Sequence, residues 1–161
     1  MNNQIRLATP DDAAAISQVI IQSLRQSNAR DYPHDVITQV EKSFSTEAIR
    51  VLLNQRQVFV ATHDKRVVAT ASLDQDVVRS VFVDPDHQGR GLGKQLMETI
   101  QSVAQEAHIE VLRVPSSITA EAFYCKLGYR KVRDEFHGAE RTIIMERRLP
   151  RRQFRADIQI K

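Results

Sequence analysis

Three of the five glycines in this chain, Gly89, Gly91 and Gly93, lie within a span of five residues. They separate a strand-like segment from a long amphipathic segment with helical spacing. A glycine inside a helix costs roughly 1 kcal/mol relative to alanine, so three at a helix entrance need a reason. Glycines there leave bare backbone N–H groups at the positive end of the helix dipole. The chemistry expected of this segment is therefore the binding of an anion, most often a phosphate.

Two well-known nucleotide-binding patterns do not match the glycine run. A P-loop needs four residues between its first glycine and a Gly-Lys pair, followed by Ser or Thr. Here three residues separate Gly89 from Gly93-Lys94, and Gln95 follows the lysine. A dinucleotide-binding fingerprint needs a third glycine where this chain has Lys94. Both patterns are excluded by these particular residues.

A longer segment around the glycine run resembles the acyl-CoA signature of the GCN5-related N-acetyltransferases. That segment is Val81-Phe82-Val83-Asp84-Pro85-Asp86-His87-Gln88-Gly89-Arg90-Gly91-Leu92-Gly93-Lys94-Gln95-Leu96. The family pattern is Gln or Arg, two residues, Gly, one residue, then Gly or Ala, which Gln88, Gly91 and Gly93 satisfy. A second segment, Ala122-Phe123-Tyr124-Cys125-Lys126-Leu127-Gly128-Tyr129, is similar to the later helix-turn-strand motif of the family. The two motifs also occur in the order that the family has.

The resemblance implies an acetyl-CoA-dependent N-acetyltransferase, in which an amine attacks the thioester directly and no acyl-enzyme forms. Acetyl-CoA is then the expected cosubstrate, and no metal is implied. Backbone N–H groups of the glycine run would bind the pyrophosphate; these residues are Gln88, Gly89, Arg90, Gly91, Leu92, Gly93 and Lys94. The preceding strand, with Val81, Phe82 and Val83, would pair with the amides of the pantetheine arm as an added strand does. Such pairing requires this strand to separate from the next one.

Tyr124 is the general acid that the resemblance implies. A phenol with a reference pKa near 10 is suited to protonate a departing thiolate whose own pKa is about 8.5. No general base stands out in the same way. We considered the carboxylates Asp74 and Asp76 and the histidines His34 and His63, and we assign none of them.

The acceptor expected from the resemblance is a small-molecule or peptide amine, which the sequence does not identify. Residues 32–35 fall in the connection after the first helix, a region that usually helps to shape the acceptor site in that family. Because no general base is evident, a noncatalytic acyl-CoA-binding module that senses the cofactor or docks a partner is the alternative. Dimers are common in the family, so a homodimer is among the expected assemblies.

Length and composition favour one domain over residues 1–149, followed by a basic tail over residues 150–161. The net charge of +3 is too small to favour a nucleic acid as partner. The chain has neither a long apolar run nor a charged-then-apolar leader, so we expect no membrane association and a cytoplasmic location. Its single cysteine, Cys125, excludes an intramolecular disulfide and cysteine-rich zinc patterns. We expect this thiol to be buried.

Alternating strand and helix patterns predict the elements that position these motifs. Strands are predicted over residues 4–8, 57–63, 66–73, 77–83, 109–114, 129–136 and 141–149. Helices are predicted after Thr9-Pro10-Asp11-Asp12, around Val36 and Val40, from Ser45, after the glycine run and over residues 120–127. Consecutive strands pair antiparallel, whereas the strand-helix-strand passage over residues 77–114 gives one parallel pair. The expected fold class is α/β of the α+β type, with a mixed, mostly antiparallel central sheet and helices on both faces.

Overall fold

A seven-stranded sheet forms the centre of the computed structural model, which describes residues 3–151. The strands are β1 (Asn3–Leu7), β2 (Gln57–His63), β3 (Arg66–Asp74), β4 (Val77–Val83), β5 (Val111–Ser116), β6 (Arg130–His137) and β7 (Glu140–Arg148). Their order across the sheet is β1-β2-β3-β4-β5-β7-β6. The neighbouring pairs are antiparallel except β4 and β5, which are parallel. The predicted mixed sheet is thereby confirmed.

Helices cover both faces of this sheet, as predicted. They are α1 (Ala13–Gln26), α2 (His34–Glu41), α3 (Thr46–Gln55), α4 (Leu92–Glu106) and α5 (Glu121–Lys126). On one face the apolar stripes of α1, α2 and α3 pack over β2 and β3 in a core that contains Ile16, Ile20 and Val60. On the other face α4 packs mainly over β3 and β4, in a core that also includes Met145 of β7, and Ile100 and Met145 are fully buried. Each helix is therefore held by burial of one apolar stripe.

The predicted cap of the first helix is present and is tied to β1. The backbone N–H of Thr9 donates to the carboxylate of Asp12 at 2.7 Å. The same carboxylate accepts two hydrogen bonds from the guanidinium of Arg6, at 2.8 and 3.0 Å. These contacts hold the pKa of Asp12 below its usual value, and the hydrogen bonds from Arg6 contribute most to this shift. They fix the angle at which α1 leaves the edge of the sheet.

The fifth strand differs from its predicted bounds. The sequence pattern predicts a strand over 109–114 that ends before Pro115, whereas β5 runs over Val111–Ser116. Proline is tolerated where a strand lacks a partner on one side. The pairing of β4 with β5 is limited to Val77 and Arg113. Pro115 therefore stays in the strand opposite Ile144 of β7, because β4 has already moved away.

The separation of β4 from β5 opens the sheet in its middle. The N–H of Arg113 donates to the carbonyl of Asp76 at 3.0 Å, and Val77 is the last residue of β4 that pairs with β5. Farther along β4 the register with β3 shifts, and Ser80 takes a left-handed conformation with φ of 56°. This bulge bends β4 away from β5. The separation that the added-strand hypothesis requires is thereby confirmed.

Cys125 does not lie where we expected it. The thiol is exposed rather than buried. Because successive residues of a helix point about 100° apart, the burial of Tyr124 on α5 turns its neighbour towards solvent. The expectation from composition alone was wrong at this position.

The described part of the chain, residues 3–151, contains no helix that is both long enough and apolar enough to cross a membrane. Residues 152–161, which make up most of the predicted basic tail, lie outside the described residues.

Candidate active site

A cavity of about 1100 Å³ lies where β4 and β5 separate. It is bounded by the ends of α1 and α2, the glycine run, α5 and the hairpin of β6 and β7. Ligand pockets of small proteins span about 300–1,000 Å³, so this one has room for a cofactor and an acceptor together. The predicted site residues that line it are Val81, Phe82, Val83, Gln88, Gly89, Gly91, Leu92, Gly93, Lys94 and Tyr124. Arg90 is not among the lining residues, and its side chain is exposed.

The backbone of β4 presents peptide groups to the gap at two of the three predicted residues. The N–H of Asp84 donates to the carbonyl of Val68 in β3 at 2.8 Å. In an antiparallel ladder the peptide groups of successive residues point to opposite sides. Phe82 therefore bonds towards β3, while Val81 and Val83 face the gap. Phe82 contributes its side chain instead, which packs edge to face on Phe44 with ring centres 5.8 Å apart.

The side chain of Gln88 holds the glycine run against its surroundings. Its amide nitrogen donates to the carbonyl of Val83 at 3.3 Å and to the hydroxyl of Ser27, at the end of α1, at 3.2 Å. The N–H of Val83 still faces the gap, whereas its carbonyl has an internal partner. The sequence predicts a role in binding the pyrophosphate for the backbone of Gln88 and none for its side chain. The long-range contact with Ser27 has no local sequence pattern that would have revealed it.

Two of the three glycines adopt a conformation that favours glycine. Gly89 and Gly91 both have φ of +79°, and a side-chain carbon added at either would meet no atom within 4 Å. Gly91 precedes α4 without a side-chain cap, and the first helical hydrogen bond runs from Gln95 to its carbonyl. The N–H groups of the first turn therefore have no partner within the helix. Residues 92–94 line the cavity, so the positive end of the helix dipole lies at its wall, where an anion fits.

Gly93 has a different role from its two neighbours. It is buried in the first turn of α4, where an added side-chain carbon would lie 3.1 Å from the ring of Phe123 and 3.7 Å from Val83. Its missing side chain lets α5 pack closely on the start of α4. Gly93 therefore has a packing role besides its place in the cavity wall, and its binding of the phosphate through the backbone stays a prediction.

Tyr124 projects from α5 into an aromatic cluster that borders the cavity. Its ring lies edge to face with those of Phe123 and Tyr129, with centres 5.0 and 5.8 Å apart. The side chain is only 4% exposed, and the hydroxyl has no hydrogen-bond partner among the described residues. Burial, with a smaller contribution from Tyr129, raises the pKa of Tyr124 well above its ordinary value. The phenol therefore stays protonated and keeps a free donor at the cavity.

Tyr32 holds together three segments that are far apart in the sequence. Its hydroxyl accepts from the N–H of Ile118, just before α5, and donates to the carbonyl of Arg141 in β7, both at 2.8 Å. Thr119 adds a hydrogen bond to Asp31 at 2.8 Å. Burial is the main cause that raises the pKa of Tyr32. The sequence placed this tyrosine near the acceptor site but revealed none of these contacts.

Replacing Tyr32 with phenylalanine will leave the N–H of Ile118 and the carbonyl of Arg141 without their partner. Each such group costs free energy when it stays partly buried, so we expect a loss of about 1–3 kcal/mol in the free energy of unfolding. For a chain of this size the melting temperature falls by roughly 2 to 12 °C. Thermal denaturation of the purified variant measures this fall. An unchanged melting temperature would show that water replaces the hydroxyl at no cost.

None of the four residues considered as general base lines the cavity, namely Asp74, Asp76, His34 and His63. The titratable groups that do line it, besides the tyrosines, Lys94 and the arginines, are His87, Glu135, His137 and Glu140. The Nδ1 atom of His87 is buried and has no hydrogen-bond partner in the described part of the chain. Within residues 3–151 no group of three or more His, Cys, Asp or Glu side chains is arranged to hold a metal ion.

Comparison with known proteins gives a family and related folds. The family model described as an acetyltransferase (GNAT) domain matches residues 22–145. An uncharacterised N-acetyltransferase of Escherichia coli K12, YafP, is 27% identical over 139 residues, which cover 84% of this chain and 87% of the relative.

Two crystal structures share the fold. The GCN5-related N-acetyltransferase of Rhodopseudomonas palustris is 23% identical with a TM-score of 0.88, covering 92% of this chain and 97% of that one. The PaiA N-acetyltransferase of Thermoplasma acidophilum, in complex with coenzyme A, is 17% identical with a TM-score of 0.79. The coverage is 92% of this chain and 99% of that one.

The family model spans most of the chain, including the opened sheet and the glycine run. It ends inside β7, so both motifs that carry the resemblance lie within the match. The predicted family, fold and enzyme class are thereby confirmed. This protein belongs to the GNAT family of acetyltransferases and is an N-acetyltransferase.

Proposed function

We propose that this N-acetyltransferase binds acetyl-CoA along β4 and the start of α4 and transfers its acetyl group to a primary amine. The observation that carries the proposal is that one cavity joins the β4–β5 gap, the uncapped N-terminus of α4 and the hydroxyl of Tyr124. Bound acetyl-CoA supplies a thioester whose carbonyl carbon is open to attack by an amine. The coenzyme A in the related PaiA structure supports this donor.

The start of α4 is the proposed site for the pyrophosphate. Gly89 and Gly91 expose backbone without side-chain obstruction, and the free N–H groups of residues 92–94 are donors that a phosphate can accept from. Lys94 lines the cavity and adds a positive charge beside the same turn. Charge-assisted hydrogen bonds of this kind are worth about 1.5–3 kcal/mol each. Arg90 is exposed and does not line the cavity, so we propose no contact between its side chain and the cofactor.

The N–H groups of Val81 and Val83 are the proposed donors for the rest of the cofactor. Both face the gap in the sheet, where an extended chain with amide groups fits as an added strand. A donor held rigidly by the sheet at the thioester carbonyl stabilises the negative charge that develops there during attack. Val81 directly follows the bulge at Ser80, so its peptide group is fixed by a bend in β4.

Tyr124 is the proposed general acid. Its hydroxyl is protonated and has no hydrogen-bond partner within residues 3–151, and the residue lines the cavity, so the hydroxyl is free to donate a proton to a departing thiolate. The raised pKa of the phenol does not oppose this role, because a thiolate that leaves in the same dry surroundings is destabilised by desolvation as well. A hydrogen bond from Tyr124 to the sulfur is then favourable from the start of the transfer.

Acetyl-CoA will stabilise the protein against heat. A ligand at 100 times its dissociation constant adds about 2.7 kcal/mol to the free energy of unfolding, which raises the melting temperature by roughly 5 to 11 °C. A thermal shift measurement with acetyl-CoA checks this, and S-acetylpantetheine, which lacks the pyrophosphate, is the control that we expect to give a much smaller shift. The absence of any shift at millimolar acetyl-CoA would contradict the proposed donor.

The acceptor is proposed to be a small-molecule or peptide amine that enters beside α2 and the hairpin of β6 and β7. Consumption of acetyl-CoA in the presence of different amine classes tests transfer directly. Binding of acetyl-CoA without transfer to any amine would favour the noncatalytic sensor instead. The homodimer, the cytoplasmic location and the lack of a nucleic acid partner stay predictions.

A further inference from the structure

Arginines are prominent among the charged residues that line the cavity. Four of them line the cavity, namely Arg56, Arg79, Arg113 and Arg133. Arg79 pairs with Asp74 at 3.4 Å, and Arg133 pairs with Glu135 at 2.7 Å. Arg56 and Arg113 have no carboxylate partner among the described residues, and of these two only Arg56 is substantially buried.

Arg56 is held at the bulge of β4 by two hydroxyl groups. It follows the last residue of α3, and its Nη1 atom donates to the hydroxyls of Ser72 at 3.1 Å and Ser80 at 3.3 Å. Ser72 in turn donates to the carbonyl of Arg79 at 2.8 Å. The guanidinium has five N–H donors, so these two bonds leave its Nε and Nη2 atoms without an acceptor within residues 3–151.

The charge of Arg56 is not compensated by its surroundings. Burial and the positive charge of Arg79 lower the pKa of Arg56. Asp74, the one acidic neighbour in the described part of the chain that raises it, is already paired with Arg79. The negative charge of Glu140, which also lines the cavity, instead raises the pKa of Tyr32 at another part of it. A half-buried guanidinium without a carboxylate partner is costly. If the arginine served only to hold the bulge, a neutral donor would be enough for its two hydroxyl contacts.

The cofactor does not account for this charge either. The proposed pyrophosphate site follows the C-terminal end of β4, at the glycine run. Arg56 contacts Ser80, on the other side of Val81 and Val83 from that site. A negatively charged group that reaches Arg56 must therefore come from the acceptor side of the cavity.

We propose that Arg56, next to Arg79, binds a carboxylate of the acceptor, so that the acceptor is an amine that also carries a carboxylate, such as a free amino acid. This rests on the proposed function, because it assumes that the thioester lies on β4. The planar guanidinium matches a carboxylate with two parallel hydrogen bonds. A single carbon separates the amine of an α-amino acid from its carboxylate. A carboxylate on Arg56 therefore holds the amine beside Ser80 and Val81, where the thioester carbonyl is expected.

Matched acceptors test the proposal on the unmodified enzyme. The L-amino acids are compared as acetyl acceptors with their primary amides, which keep the amine and lose the carboxylate charge. We expect at least one acid to be acetylated with a kcat/KM about 10- to 100-fold higher than that of its amide, because a charged hydrogen-bond pair is lost. Equal values for every pair, or transfer only to amines without a carboxylate, would overturn the proposal.

Variants of Arg56 show whether this side chain is responsible. Arg56→Gln keeps donors for the two serines and removes the charge, so we expect KM for the preferred acid to rise about 10- to 100-fold, with kcat and the KM of the amide nearly unchanged. Arg56→Lys restores the positive charge but not the planar guanidinium that can donate two parallel hydrogen bonds. We expect this variant to recover part of the preference for the acid over its amide. Arg50→Gln, on the exposed side of α3 where Arg50 pairs with Glu47, is the matched control and should change neither.

The outcomes separate this proposal from the proposed function. If Arg56→Gln lowers kcat for acids and amides alike, the arginine acts through β4 and the proposal is wrong, whereas the acetyltransferase mechanism stands. If the unmodified enzyme is not stabilised by acetyl-CoA and acetylates no amine, both fail. Because the acid and amide comparison uses the unmodified enzyme, a folding defect in the variants cannot decide the result.

Discussion

Replacing Tyr124 with phenylalanine will lower kcat about 10²- to 10⁴-fold, the usual contribution of a general acid, while the dissociation constant of acetyl-CoA stays nearly unchanged. The ring fills the same place between Phe123 and Tyr129 in the variant, so packing is preserved. Only the hydroxyl is lost, and it has no partner among the described residues that would be left unpaired. Steady-state kinetics measures the change in kcat, and isothermal titration with acetyl-CoA measures its dissociation constant.

Tyr129 offers a matched control for this experiment. It belongs to the same aromatic cluster and is buried to a similar extent, but it does not line the cavity, and its hydroxyl accepts from Gln101 at 3.3 Å. Tyr129→Phe removes the same atom and should leave kcat within about twofold of the unmodified enzyme, since its hydroxyl is remote from the reacting groups. If both variants lose activity equally, the cluster acts through packing, and Tyr124 is not the acid.

The pH profile gives an independent test of the same assignment. An acid must be protonated to act, and burial raises the pKa of Tyr124 above the ordinary value of a phenol. Activity that depends on Tyr124 is therefore present at neutral pH and should not be lost as the pH rises to about 10. A loss of kcat with an apparent pKa clearly below 10 that disappears in Tyr124→Phe would contradict the raised pKa.

Local patterns made most of the fold predictable. Strands β2 and β4 have their predicted bounds, because runs of valine and alanine end at strong turn signals. Asp64 and Lys65, which join β2 to β3, both have positive φ, at 49° and 69°, as a tight hairpin turn requires. The predicted end of β5 before Pro115 was wrong. A proline ends a strand only where a neighbouring strand needs a hydrogen bond from the N–H group that proline lacks, and β4 has already separated from β5 at this point.

The part of the cavity proposed to bind the donor could be predicted from the sequence, whereas the part proposed to bind the acceptor could not, for a physical reason. The glycine run and β4 are consecutive in sequence, so their spacing alone indicates an anion site beside an open strand. Tyr32 acts through residues more than 80 positions away in the chain, and Arg56 through serines on two other strands. Such contacts depend on how the sheet and helices pack, which no local pattern records.

Replacing Gly91 with valine will raise the dissociation constant of acetyl-CoA about 10- to 100-fold, equivalent to about 1.5–3 kcal/mol, the value of one charge-assisted hydrogen bond. Gly91 has φ of +79°, which a β-branched residue rarely adopts. Relief of this strain turns the peptide that precedes α4 and moves the free N–H groups away from the pyrophosphate. Isothermal titration with acetyl-CoA measures the change.

Gly138→Val is the matched control, because it separates backbone strain from loss of the phosphate site. Gly138 lies in the turn between β6 and β7 with φ of +62°, has equally open surroundings and does not line the cavity. Both variants should lose a similar free energy of unfolding, roughly 1–2 kcal/mol, but only Gly91→Val should bind acetyl-CoA more weakly. Affinity for S-acetylpantetheine should be the same in both, since it has no pyrophosphate. If Gly91→Val weakens both ligands equally, the start of α4 holds the strand in place and is not the pyrophosphate site.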